Sequence, residues 1–235
     1  MTLDAVLSRI DADLDQSIDR LKALLRIPSI STDPAHKADC RTAADWLVAD
    51  LAALGVDAQA RPTPGHPMVV GTVGEGSPHL LFYGHYDVQP VDPLDLWHRD
   101  PFDPAIEDTP DGRVIRGRGT SDDKGQLMTF VEACRAWKAV TGDWPCRITF
   151  FFEGEEESGS PSLVPFLKEN ADELSRPDLA LICDTGLFDR DTPAITTMLR
   201  GLLGEELTIT GPAKDLHSGM YGGAAMNPAR VLAKI

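Results

Sequence analysis

The residue types in this sequence that could do chemistry stand in four short runs. They are His85 and Asp87 in LLFYGHYDVQP (80–90), Asp122 and Asp123 in GRGTSDDKG (117–125), the glutamates of EGEEESGS (153–160), and Asp184 in CDTG (183–186). One imidazole with several carboxylates and no thiolate suits a catalytic zinc, manganese or cobalt centre better than a structural zinc site. If one carboxylate bridges two ions, the set makes a two-metal centre with a spacing of about 3.5–4 Å, able to activate water.

Each run has a simpler explanation by itself. A histidine after a strand is an ordinary hydrogen-bonding residue, and a run of glutamates is an ordinary solvated surface. DDKG suits a helix start, with Asp122 or Asp123 capping free N–H groups. Asp184 alone reads as loop chemistry. The explanations weaken together, because so many carboxylates at one place repel unless cations lie between them.

Three of the runs follow apolar stretches that read as strands: 79–84, RITFFFEG (147–154) and DLALICD (178–184). In an open parallel sheet, ligands bind beyond the carboxyl ends of the strands, so all three would deliver their polar residues to one edge. Residues two apart on a strand point the same way. Asp87 is therefore placed to hold the second ring nitrogen of His85 and fix its tautomer.

The elements between complete an alternating pattern. Leu3, Leu7, Ile10, Leu14, Ile18, Leu21 and Leu25 predict one amphipathic helix stopping before Pro28. A second helix is expected from about Cys40 to Leu54 with Gly55 behind it, and strands at 56–61 and 67–73. The stretch 89–111 reads as a loop containing WHRDPFDP, and Asp111-Gly112 as a turn leading into VIRGRG. Helices near 124–140 and 161–174 follow. This is an α/β pattern, a mainly parallel sheet flanked by helices. Beyond Thr192 the texture changes. AITTMLRG and GEELTITG look like antiparallel strands, and NPARVLAKI starts a helix, so the sequence is expected to be the front of a longer protein.

With 235 residues, 42% hydrophobic, there is enough for one domain and part of another. A net charge of −15 argues against nucleic acid or an anionic membrane as partner. No apolar run approaches the roughly 20 residues of a membrane span. The N-terminus lacks a signal-peptide layout, and four scattered cysteines suggest reduced thiols in the cytoplasm.

In order, GHYDVQP, GRGTSDDKG, EGEEESGS and CDTG resemble the motifs of the co-catalytic zinc exopeptidases, a family of dipeptidases, aminopeptidases, carboxypeptidases and N-acyl amino acid deacylases. WHRDPFDP and DLHSGMYGG are similar to its carnosinase-type dipeptidase branch. The resemblance runs from about residue 20 to the end.

It implies a phosphorylase/hydrolase-like catalytic domain over 1–193, followed at 194–235 by the start of an α+β lid that forms a homodimer. It implies two divalent ions, zinc first with manganese or cobalt as alternatives. His85 and Asp184 would hold one, Asp122 would bridge, and Glu157 would hold the other. Glu156 would be the general base, although Glu155 is also available. Asp87 would support His85, the peptide after Asp122 would be cis, and His217 would steady the oxyanion in the partner's site. A further histidine ligand should come from a C-terminal part, because His36, His66, His79 and His98 lie in no such motif. These 235 residues alone are therefore expected to bind the second metal weakly and to be nearly inactive. The activity implied is hydrolysis of dipeptides. An N-acyl amino acid deacylase and a non-catalytic metal-binding or dimerisation remnant are the alternatives.

Overall fold

A computed structural model describes residues 3–110 and 112–235. The chain separates into two compact units, Met1–Ala194 and Ile195–Ile235.

The first unit opens with two helices where the hydrophobic periodicity predicts one. They are α1 (Leu3–Ala12) and α2 (Leu14–Leu25), interrupted at Asp13. An aspartate competes for local hydrogen bonds and favours helix ends, and the Asp13 carboxylate accepts from Arg9 Nε at 2.5 Å. Helix α3 (Lys37–Ala53) precedes β1 (Ala58–Arg61), β2 (Met68–Val73) and β3 (His79–His85). The expected loop at 89–111 contains a strand, β4 (Ala105–Thr109), which pairs antiparallel with β5 (Gly112–Arg116). Of the proposed turn, Asp111 lies outside the described residues. Then come α4 (Lys124–Thr141), β6 (Arg147–Glu153), α5 (Leu163–Glu169), α6 (Ala171–Leu174) and β7 (Leu179–Ile182).

The main sheet has the order β1-β2-β6-β3-β7. β3 runs parallel to both β6 and β7, while β2 is antiparallel to β1 and β6. Only β2 therefore opposes the common direction, and the sheet is mainly parallel, as the alternating pattern predicts. The aromatic run of β6 serves both faces, because successive side chains alternate. Phe150 and Phe152 enter the larger core with Leu47, Leu127 and Val131, whereas Phe151 packs on the other face with Met68, Val70 and Phe166. Burial on both faces is what makes such strands read as continuous apolar runs. At the carboxyl edge, His85 sits opposite Glu153 in register.

The second unit carries two short helices, α7 (Ser218–Tyr221) and α8 (Pro228–Leu232), the latter capped by the Asn227 side chain. Neither AITTMLRG nor GEELTITG forms a strand. An isolated pair of strands is marginal without a third strand or a helix to cover it, and here the apolar side chains stay in solvent: Leu202 is 96% exposed and Ile195 90%. Among the described residues, no helix is long and apolar enough to cross a membrane.

Candidate metal centre

Strand β3 ends by placing His85 in the interior, 0% exposed, with Asp87 equally buried two residues on. Tyr86 between them faces the other way, and its hydroxyl donates to Pro67 O at 2.6 Å. The preceding residue is closely approached: a Cβ on Gly84 would lie 3.0 Å from Asp123 Oδ2, so any larger residue there must displace that carboxylate. That oxygen accepts from the His85 backbone N–H at 3.1 Å. Neither aspartate of DDKG therefore caps α4 with its side chain: Asp123 stands at the N-cap position but turns its carboxylate to His85. The Asp122–Asp123 peptide is cis, as expected.

The glutamate run follows β6 as a tight turn, Glu156–Ser158, closed by Gly159 at φ +86°. The Asp87 carboxylate fixes this turn, accepting from Glu156 N at 3.2 Å and Glu157 N at 3.0 Å. Glu155 points elsewhere, into a buried pocket where it accepts from His66 N at 3.1 Å and Ser162 N at 3.0 Å. Glu153 is sealed at the strand end, bonded by Tyr83 and Ser160 hydroxyls. Asp184 arrives two residues beyond β7.

The three strand ends converge. His85 Nδ1 lies 3.1 Å from Asp87 O and 3.3 Å from Asp87 Oδ1, so this nitrogen carries the proton and donates it. The opposite nitrogen, Nε2, lies 3.1 Å from Asp122 Oδ1, 3.6 Å from Asp184 Oδ2 and 3.9 Å from Glu156 Oε2. One ligand atom each from His85, Glu156 and Asp184 lie within 4.8 Å of one another. Asp122 touches His85 but stands outside that group. Glu157 Oε2 instead accepts from Gln89 Nε2 at 2.5 Å. His217 belongs to the second unit, where its Nδ1 accepts from Gly219 N at 3.1 Å.

A neutral imidazole with Nδ1–H committed would aim a lone pair at three carboxylates. Only acceptors face each other there, so either a proton or a metal cation must occupy the gap. The donor set, one nitrogen with carboxylate oxygens, fits a divalent metal ion. Without a cation, the ring takes the proton. Burial depresses its pKa, but the hydrogen bond and charge of Asp87, with Asp123 and Glu156, outweigh burial and lift it to about 10. The carboxyls are pushed the same way. Burial, chiefly, raises Asp123 to about 7, and also raises Glu156 and Glu157 with help from neighbouring carboxylates. Beside the group, an open cavity of about 560 Å³ has Thr120, Asp122, Gln126, Asp184 and Thr185 on its wall. Clefts of this size take small-molecule ligands.

Sequence reasoning identified the four runs but missed Asp123 as the partner of the His85 amide. It also missed Gln89 as the partner of Glu157, though its place in HYDVQP, two residues after Asp87, was a usable signal.

Comparison with known proteins identifies the family. Residues 81–216 match Peptidase family M20/M25/M40. The Cys-Gly metallodipeptidase dug1 of Schizosaccharomyces pombe is 34% identical across 100% of this chain and 52% of its own length. The human Beta-Ala-His dipeptidase is 31% identical over 93% of this chain and 42% of its own. Among solved structures, the dipeptidase Dug1p from Saccharomyces cerevisiae superposes with a TM-score of 0.75 at 28% identity, covering 98% of this chain and 51% of that one. The chain spans about half the length of the curated relatives it matches.

Proposed function

The chain belongs to Peptidase family M20/M25/M40, and on that premise we propose that the intact protein is a metal-dependent dipeptidase. M20 metallopeptidases work with divalent metal ions, and the number and identity proposed here are two zinc ions, with manganese or cobalt able to substitute. The observation that carries the reading is the buried His85 Nε2 facing oxygens of Asp122, Asp184 and Glu156 at the shared edge of the sheet.

In this reading His85 and Asp184 would hold one ion, Glu157 would hold the second, and the Asp122 carboxylate would serve both. Bound ions would supply Lewis acidity, polarising the scissile carbonyl and making water more acidic. Asp87 holds the Nδ1 proton of His85, which keeps Nε2 available as a ligand. Glu156 takes the proton of the attacking water and returns it to the leaving amine. Its carboxyl, raised by burial and neighbouring acids, is the better matched to that exchange. Glu155 is already committed to two backbone N–H groups, which supports the Glu156–Glu157 assignment. His217 accepts at Nδ1, so Nε2–H is free to donate where negative charge develops. In the proposed homodimer it does so in the partner's site. Residues 1–193 then form the catalytic part and 194–235 the start of the lid. Four free cysteines fit a reducing, cytoplasmic setting. The chemistry of the relatives makes a dipeptide the substrate proposed here, ahead of an N-acyl amino acid.

A second role for Glu156, as metal ligand, is favoured by its place in the convergent group with His85 and Asp184. One experiment separates these readings. The purified intact protein is assayed for bound metal and for turnover of dipeptides against acetyl- and succinyl-amino acids, as wild type and as Glu156→Ala. The proposal expects dipeptide turnover that falls by about 10²–10⁴-fold in the variant with metal content intact. Loss of metal with Glu156→Ala makes it a ligand. Turnover of acyl-amino acids alone, or a protein that holds no metal, overturns the dipeptidase reading.

A further inference from the structure

Lys124 is the largest charged side chain sealed in the described interior, at 0% exposure. Among the described residues, no carboxylate bonds to it. Its Nζ donates to Leu24 O at 3.1 Å and Ile27 O at 2.8 Å, at and just beyond the last turn of α2. An amine donor suits helix-end carbonyls, but an exposed lysine would do that without the burial that lowers its pKa to about 7. Burying a polar group is costly unless it is hydrogen-bonded, and these two carbonyls are what offsets the cost here.

The segment that Lys124 grips continues into Ser29 and Ile30, and these hold the chain on both sides of Asp87. The Ser29 hydroxyl, fully buried, donates to Tyr86 O at 2.6 Å. Val88 N donates to Ser29 O at 3.0 Å, and Ile30 forms a parallel bridge with Val88. Space around this contact is tight: a Cβ on Gly119 would come 2.9 Å from Val88 and 3.3 Å from the Lys124 stem. Asp87 itself accepts the amides of Glu156 and Glu157 and faces His85 Nδ1.

We propose that Ser29 and Lys124 are positioning residues for the metal centre. Lys124 fastens segment 24–30, and Ser29 uses that fixed segment to clamp residues 86 and 88, so that Asp87 has one place to stand. Asp87 then sets the His85 ring and the Glu156–Glu157 turn together. This rests on the metal-centre reading above for its functional consequence, but its structural content can be tested separately.

The test uses the intact protein as wild type, Ser29→Ala, Ser29→Thr, Lys124→Met and, as a control at the opposite edge of the sheet, Thr72→Val. Two quantities are read: hydrogen exchange at the Glu156 and Glu157 amides, and zinc affinity by competition with a chromophoric chelator. Ser29→Ala and Lys124→Met should speed exchange at both amides about tenfold, a change of about 1.4 kcal/mol. Zinc affinity should weaken by about 10–100-fold, the usual cost of losing a group that orients a metal ligand. Ser29→Thr, which keeps the hydroxyl, should restore both, and Thr72→Val should change neither. If Lys124→Met does not fold, Ser29→Ala decides the matter. Unchanged exchange in Ser29→Ala, or equal loosening in Thr72→Val, overturns the proposal. Loosened amides in a protein whose wild type neither holds zinc nor cleaves dipeptides would leave the clamp standing and remove the metal-centre reading instead.

Discussion

Strand β3 carries a buried histidine at each end, and the two ends use it oppositely. At the amino end, His79 Nε2 meets Thr149 Oγ1 at 2.8 Å, which in turn meets Thr72 Oγ1 at 2.9 Å, a neutral chain crossing three strands. Burial, helped by the charge of Arg147, pushes this ring's pKa down. At the carboxyl end, His85 is ringed by carboxylates and its pKa is lifted to about 10. The same residue type, buried at both ends, is a neutral cross-strand hydrogen-bonding group at one edge and, at the other, a carboxylate-ringed imidazole proposed as a metal ligand. The difference lies in the partners: hydroxyls offer dipoles and carboxylates offer charge.

The most direct way to break this contrast is to remove each ring. His85→Ala should lower metal affinity by more than about 100-fold and abolish hydrolysis in the intact protein, since loss of a ligand exceeds the 10–100-fold typical of its supporting groups. His79→Ala should leave kcat/KM near its starting value while lowering the melting temperature. Metal analysis and calorimetry of the two variants distinguish them.

Titration sharpens it next. In the metal-free protein the folded pKa of His85 lies above its ordinary value near 6.5. Its stabilisation is therefore complete below about pH 6.5 and is lost as pH rises toward 10, at up to about 1.4 kcal/mol per pH unit. Glu156 and Glu157, also raised, contribute with the same sign at lower pH. Because protons and metal ions compete for these groups, added zinc should stabilise the protein more at pH 8 than at pH 5, measured by chemical unfolding with and without chelator. His79 acts with the opposite sign, its contribution lost as pH falls below about 6.5.

A smaller effect is expected from Thr149→Val, which strands both His79 and Thr72. It should cost about 1–3 kcal/mol of stability without changing metal affinity. Smallest is Gln89→Ala, which removes one exposed hydrogen bond to Glu157. About 0.5–1.5 kcal/mol corresponds to a few-fold to roughly tenfold loss of metal affinity, with no loss of melting temperature in the metal-free protein.

Much of this architecture was legible in the sequence because local pattern and global fold agree. The run ITFFF is apolar but for Thr149 since both faces of β6 are covered, and His85, the Glu156 turn and Asp184 follow strands that share a direction. What was hidden depends on distant partners. A lysine after two aspartates reads as a solvated helix start, and only tertiary packing brings Lys124 to the carbonyls of residues 24 and 27. DDKG suits a cap by Asp122 or Asp123, and the use of Asp123 by the His85 amide is hidden because it requires residues 38 apart to meet. The strands expected in AITTMLRG (194–201) and GEELTITG (204–211) are absent for the converse reason: local composition alone does not make a strand where no neighbour takes its hydrogen bonds.

Tyr86, seated between His85 and Asp87 with its hydroxyl on Pro67, fills the space over Gly154, where an added Cβ would fall 2.4 Å from the ring. The two positions are therefore bound to a mutational order. Alanine at 154 becomes tolerable only after residue 86 has shrunk, and a smaller residue at 86 first opens a void beneath the centre. Any lineage crossing between these states must pass through a damaged intermediate, so drift at this spot should be slow.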